Sequence, residues 1–169
     1  ESFTITVSDV DEAATDIALS ATSINENSAS GSTVATITVT DPDTGDDGGA
    51  DYVAADNAIS GTDAASFVDA DSGSDLLLKT ATTLDFETKA SYSITLTVDD
   101  ADDSSLNYNE AFTITVTDVD EAATDIALSA TTVNENVAIG TTVATVTVSD
   151  PDAGDDTGGD YVAADMAIS

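Results

Sequence analysis

The stretch DVDEAATDIALS spans Asp9 to Ser20, and the same twelve residues return at Asp118 to Ser129. Each copy opens on an acidic group and runs into an alternating apolar segment, Ile17-Ala18-Leu19 in the first. Sliding the sequence by 109 positions lays residues 1–60 on 110–169 without a gap, and 47 of those 60 positions are identical. The exchanges are mild, Val133 for Ile24 and Val146 for Ile37 among them. A period near 109 residues is far too long for a solenoid turn and is the size of an independently folding domain. The chain therefore reads as about one and a half units of a tandem array.

Outward from that stretch the pattern is β throughout. Phe3, Ile5 and Val7 alternate with Thr, as do Val34, Ile37 and Val39, then Ile94, Leu96 and Val98, then Phe112, Ile114 and Val116. Period-2 alternation with Thr and Val marks half-buried strands. Leu76, Leu77 and Leu78 make a short buried run, and Asp41-Pro42-Asp43, Gly48-Gly49 and Ser72-Gly73 supply turns. Seven strands are expected near 15–22, 33–40, 57–61, 66–70, 75–80, 91–99 and 111–117. The fold class is an all-β, seven-stranded Greek-key β-sandwich, Ig-like in layout, in tandem array. Residues 1–11 read as the last strand and linker of a preceding repeat, 12–120 as one complete repeat, and 121–169 as about three strands of the next. A three-strand half sandwich leaves a greasy face and open edges. The expectation is a window on a longer polymer, or a half domain completed by another molecule.

Charge narrows the partners. The chain has 34 Asp plus Glu, two Lys (Lys79 and Lys89), no Arg, no His and no Cys, for a net charge of -32. Phosphate neutralisation needs Lys and Arg, so nucleic acid is excluded as a partner, and anionic membrane surfaces are disfavoured. Without Cys or His there is no disulfide frame, and zinc or copper would have no preferred ligands. Hard, oxygen-ligated cations remain, and calcium fits best. No apolar run approaches the length of a membrane span. Solvated acids for solubility are the bland alternative, but that does not explain where the acids sit.

They collect at strand ends. Glu26 lies in Asn25-Glu26-Asn27 after the first strand, and Asp41 and Asp43 end the second. Asp85 and Glu87 precede the sixth strand, Asp100 follows it, and Asp118, Asp120 and Glu121 leave the seventh. In a sandwich, alternate strand ends share a pole. Glu26, Asp85, Glu87 and the exit of the seventh strand can meet at one pole, and the exits of the second and sixth at the other. Carboxylates so gathered repel until a divalent cation turns the repulsion into coordination.

This order of elements resembles the cadherin repeat, in its bacterial cadherin-like form found in large surface adhesins. Asn25-Glu26-Asn27 is similar to the family's Pro-Glu-Asn, and Leu84-Asp85-Phe86-Glu87 to its Leu-Asp-Arg-Glu. Asp41-Pro42-Asp43 and Asp150-Pro151-Asp152 are similar to its Asp-x-Asp, and Asp118-Val119-Asp120-Glu121 to its acidic linker. The resemblance implies calcium at the junctions between repeats, stiffening them. The junction near residue 120 would use Glu26, Asp85, Glu87, Asp118, Asp120 and Glu121, with Asp150 and Asp152 from the next unit. The junction near residue 11 would use Asp9, Asp11 and Glu12, with Asp41, Asp43 and Asp100 (or Asp102 in its place). Phe86 departs from the family's Arg, and the linker lacks both family Asn residues. The acidic loop 45–49 lies outside the family core.

The implied role is a calcium-rigidified spacer of an extracellular adhesin or surface fibre, secreted to the cell surface. Its partners would be calcium, neighbouring repeats and its own kind in a filament. An enzyme is not expected: His and Cys are absent, and Asp85 with Glu87 is the only glycosidase-like temptation. An EF-hand at Asp41 fails, because Gly45 supplies no ligand at the fifth position and Tyr52 stands where a bidentate Glu is needed. A carbohydrate-binding module is the alternative. It would stack sugars on Tyr52 and Tyr161, the same position in the two copies, although a ring capping the sandwich edge suits that position better. Tyr92 reads as core.

Overall fold

A computed structural model describes residues 1–8, 10–43, 52, 57–72, 75–99 and 105–152. The chain divides into two compact units, Glu1–Asp118 and Val119–Ser169.

The first unit is a sandwich of two four-stranded sheets. Its strands are β1 (Asp16–Leu19), β2 (Ser23–Asn25), β3 (Thr33–Thr40), β4 (Ala58–Ser60), β5 (Phe67–Ser72), β6 (Asp75–Thr80), β7 (Ser91–Asp99) and β8 (Asn107–Thr117). One sheet has the order β1-β3-β6-β5 and the other β2-β8-β7-β4. All described pairings are antiparallel except β2 with β8, which is parallel. The alternating residues turn inward as a period of two requires. Ile17, Ile37, Val39, Phe67, Leu76 and Leu78 from one sheet meet Tyr92, Ile94, Leu96, Val98, Ile114 and Val116 from the other in one core. On β3 a register shift between Thr33 and Ala35 lets the consecutive Val34 and Ala35 both be buried, which a regular pleat forbids. Gly61 has φ +102, and a Cβ there would stand 3.2 Å from the Ser93 carbonyl oxygen, so this turn requires glycine.

Of the expected first strand, 15–22, only Asp16–Leu19 is a strand, and an unexpected strand, Ser23–Asn25, follows on the other sheet. Ser20 is the reason. Its N–H donates to the Thr36 carbonyl at 3.0 Å, and its Oγ accepts the Thr36 N–H at 2.8 Å, closing the β3 ladder where β1 stops. The chain then crosses, and the Thr22 carbonyl accepts the Thr115 N–H at 2.9 Å on the opposite sheet. Among its described residues the first unit thus holds eight strands where seven were expected. Residues 1–8, expected as a strand, carry no strand assignment. Phe3, Ile5 and Val7 are 83–90 % exposed, because a strand needs a ladder partner and none of the described strands pairs with them.

The second unit holds β9 (Asp125–Leu128) and β10 (Val146–Ser149), paired antiparallel. They repeat the β1–β3 pairing residue for residue: Ile17 faces Val39, and Ile126 faces Val148. The β2 and early β3 equivalents, 132–134 and 142–145, are not strands. In the first unit those segments lean on β8 and β6, which have no counterpart among the described residues of the second. The third strand expected for that repeat falls at 166–169, outside the described residues.

Candidate metal centre

The pole where β2 and β8 end is built around Glu26. After β2 the chain turns through Asn27, whose φ of 56° is in the left-handed region that Asn tolerates. Main-chain bonds pin the turn: Glu26 N–H donates to the Thr117 carbonyl at 3.0 Å, and Asn27 N–H to the Leu84 carbonyl at 2.9 Å. The Glu26 side chain is thereby held 3 % exposed, its Oε2 accepting the Phe86 N–H at 2.9 Å. Phe86 contributes its main chain to Glu26, while its partly buried ring packs against the core.

One carboxylate oxygen each from Glu26, Glu87 and Asp118 lie within 4.8 Å of one another. A hydrogen bond from its own main chain lowers the Glu87 pKa. Desolvation, the charges of Glu26 and Asp118, and a hydrogen bond shared with Glu26 outweigh it, and the carboxyl titrates above its ordinary value. The trio consists only of hard oxygen donors, the set that calcium takes. Asp85, expected beside them, is outside the trio. Its Oδ1 accepts the Thr88 N–H at 2.8 Å and its Oδ2 the Thr88 hydroxyl at 2.9 Å, so it caps the turn into β7. Asp120 is exposed and also outside the trio.

At the opposite pole of the first unit, Asp41 and Asp43 are buried, at 6 % and 8 % exposure. Asp43 N–H donates to Asp41 Oδ1 at 2.9 Å, and Glu12 N–H donates to Asp43 Oδ2 at 2.7 Å. Asp11 and Glu12 have exposed side chains, and Asp9 and Asp100 lie outside the described residues. The second unit repeats the arrangement. Asp152 N–H donates to Asp150 Oδ1 at 3.1 Å, and Glu121 N–H to Asp152 Oδ2 at 2.6 Å. Asp150 and Asp152 are buried, and Asp152 Oδ1 has no hydrogen-bond partner. A buried carboxylate oxygen left so is costly unless a cation meets it.

Two tyrosines are buried. Tyr92 is core as expected, edge-on to Phe67 with ring centroids 5.7 Å apart and the Lys89 ammonium 5.0 Å from its centroid. Tyr52 is 1 % exposed and donates its hydroxyl to Asp41 Oδ2. A ring so buried cannot stack on a sugar, which removes the surface on which the carbohydrate reading stood for this copy. The sequence did hold a signal for the Tyr52 contact: Tyr follows the first Asp of the Asp-Pro-Asp turn by eleven positions in both copies, Asp41 to Tyr52 and Asp150 to Tyr161. Tyr161 lies outside the described residues.

No curated protein sequence matches the chain. Among solved structures, the protocadherin gammaB7 EC3-6 cis-dimer is 27 % identical with a TM-score of 0.56, over 87 % of this chain and 35 % of that one. Protocadherin Gamma B2 extracellular cadherin domains 1-5 are 28 % identical with a TM-score of 0.58, over 87 % of this chain and 28 % of that one. The chain therefore spans about a third of the length of these relatives. The family model for the cadherin domain matches residues 20–123, more than half of the chain. With two sheets in one sandwich and carboxylates gathered at its poles, the chain belongs to the cadherin domain family.

Proposed function

We propose that this chain is a calcium-stiffened spacer of an extracellular adhesive array, of the kind built into large bacterial surface proteins. The observation that carries the reading is the convergence of Glu26, Glu87 and Asp118 at the pole where the chain leaves the first unit. Like charges so close raise the energy of the cation-free chain, and after desolvation the charges of Glu26 and Asp118 add to the upward shift of the Glu87 carboxyl. Calcium, when bound, would cancel the charge of these hard oxygen donors.

Glu26, Glu87 and Asp118 would hold it from the first unit, with Asp150 and Asp152 from the second, Asp120 and Glu121 from the linker, and Asp85 from the turn before β7. Asp152, buried with an unpartnered oxygen, supports its part in this. Asp9, Asp11, Glu12, Asp41, Asp43 and Asp100 would serve the junction near residue 11. The repeat boundaries are 1–11, 12–120 and 121–169. Extracellular calcium is high enough to fill even sites with dissociation constants of about 10⁻⁴–10⁻³ M. The near-identity of two copies 109 residues apart suits a part whose task is length. The extracellular cadherin domains to which it is similar support the placement outside the cell.

Small-angle scattering and thermal unfolding of the 169-residue chain test this. Chelation is expected to shorten its largest dimension and lower its Tm, and Asp118→Ala with Asp120→Ala is expected to do the same in calcium. Dimensions and Tm indifferent to calcium would overturn the proposal.

A further inference from the structure

Asp41 is a buried carboxylate, and two neutral groups donate to it. The Asp43 N–H occupies Oδ1 and the Tyr52 hydroxyl occupies Oδ2. Asp63 is the contrast within the same unit, since Lys89 pairs with it directly. A lysine at Asp41 would cancel the charge that a cation needs. A phenol satisfies the same oxygen, fixes the carboxylate plane and leaves the negative charge intact. The ring is suited to this because it sits in the core, 1 % exposed, and belongs to the buried cluster with Val39 and Val98. Its position thus registers the Asp-Pro-Asp turn against the sandwich interior. The turn itself appears twice with the same main-chain bonds, at Asp41–Asp43 and at Asp150–Asp152. In the second copy, the equivalent of Asp43, Asp152, has a buried oxygen without a hydrogen-bond partner, an independent sign that a turn of this design suits a cation.

We propose that Tyr52 is a positioning residue for the Asp41-Pro42-Asp43 cation site, a neutral donor that orients Asp41 without discharging it. This rests on the calcium reading above. It has an optical consequence. The chain has no Trp and four Tyr, so near-ultraviolet absorption is tyrosine absorption. A cation drawing charge from Asp41 weakens the hydrogen bond it accepts, so saturation with calcium should shift the Tyr52 band.

The test uses the full 169-residue chain and calcium chloride alone. Tyr52→Phe keeps the ring and removes the hydroxyl. Calorimetric titration should show calcium affinity at the affected site falling at least about tenfold, the usual cost of losing an outer-shell partner. The variant should also lose part of the calcium-induced tyrosine difference spectrum. In an Asp41→Asn background the same change should cost no further affinity, because the positioned charge is already gone. Equal calcium binding by wild type and Tyr52→Phe would overturn the role of Tyr52 alone, as would an equal loss in the Asp41→Asn background. A wild-type chain that takes up no calcium would overturn this proposal together with the reading beneath it. If Tyr52→Phe does not fold, the wild-type spectrum decides: no tyrosine difference signal at calcium saturation overturns the proposal.

Discussion

At Glu26 charge and packing pull in opposite directions. Its carboxylate is 3 % exposed, accepts the Phe86 N–H at 2.9 Å and has an oxygen within 4.8 Å of one on Asp118. Two unit charges that far apart repel by about 1 kcal/mol at the dielectric of water and about 3.5 kcal/mol at an effective value of 20. Asp118 is exposed, so the lower figure applies. Glu26→Gln removes the charge and keeps an oxygen for the Phe86 N–H. In calcium-free buffer it is expected to stabilise the first unit by about 1 kcal/mol, raising Tm by about 4–8 °C for a domain of this size. Glu26→Ala also removes the acceptor, and the orphaned N–H costs about 1–3 kcal/mol. Saturating calcium inverts the order. The wild type gains about 2.7 kcal/mol at a hundredfold excess over the dissociation constant, and Glu26→Gln, one charged ligand short, gains less. Circular dichroism melts in EDTA and in millimolar calcium measure both. Should Glu26→Gln lower the EDTA melting point as far as Glu26→Ala does, repulsion is not acting at this pole and the reasoning fails.

Three further outcomes follow from the geometry. Ile17→Ala, at a site 2 % exposed, should cost about 2–5 kcal/mol, whereas Ile126→Ala at the repeated position, 67 % exposed, should change stability by no more than about 0.5 kcal/mol in denaturant melts. Gly61→Ala should destabilise by about 1 kcal/mol or more, since φ +102 and the Ser93 carbonyl both oppose a Cβ; a variant as stable as the wild type would contradict that turn. The Lys89 hydrogen bond, with the Ser93 N–H, holds the Asp63 carboxyl below its ordinary value of 3.8. A depressed folded-state pKa gives stability present above the unfolded value and lost as pH falls through the folded one. Asp63→Asn should therefore lower stability at neutral pH and flatten the acid limb below about pH 4, read from unfolding midpoints across pH.

Much of the strand map was legible. The runs at 33–40, 75–80 and 91–99 are strands over those same residues, the first and last because sustained alternation leaves one conformation that buries a single face, the middle one because a short apolar run between turns suits a buried strand. The split of the first strand was not legible, since it depends on Ser20 meeting Thr36 and on β2 pairing with β8, contacts remote in the chain. The site divides likewise. Residue types and their order named Glu26, Glu87 and Asp118. That Asp85 would turn back to Thr88, and that Tyr52 would reach Asp41, depended on side-chain directions that spacing does not carry.

The repeat separates the two levels within one molecule. Asp-Ile-Ala-Leu at 16–19 and at 125–128 forms a strand both times, with the same antiparallel register to its neighbour. Local sequence determined that much, through backbone preference and the alternation of side chains. Yet Ile17 is 2 % exposed and Ile126 is 67 % exposed. Burial was decided by tertiary structure alone, because hydrophobic burial needs a second surface, and that surface comes from strands far along the chain.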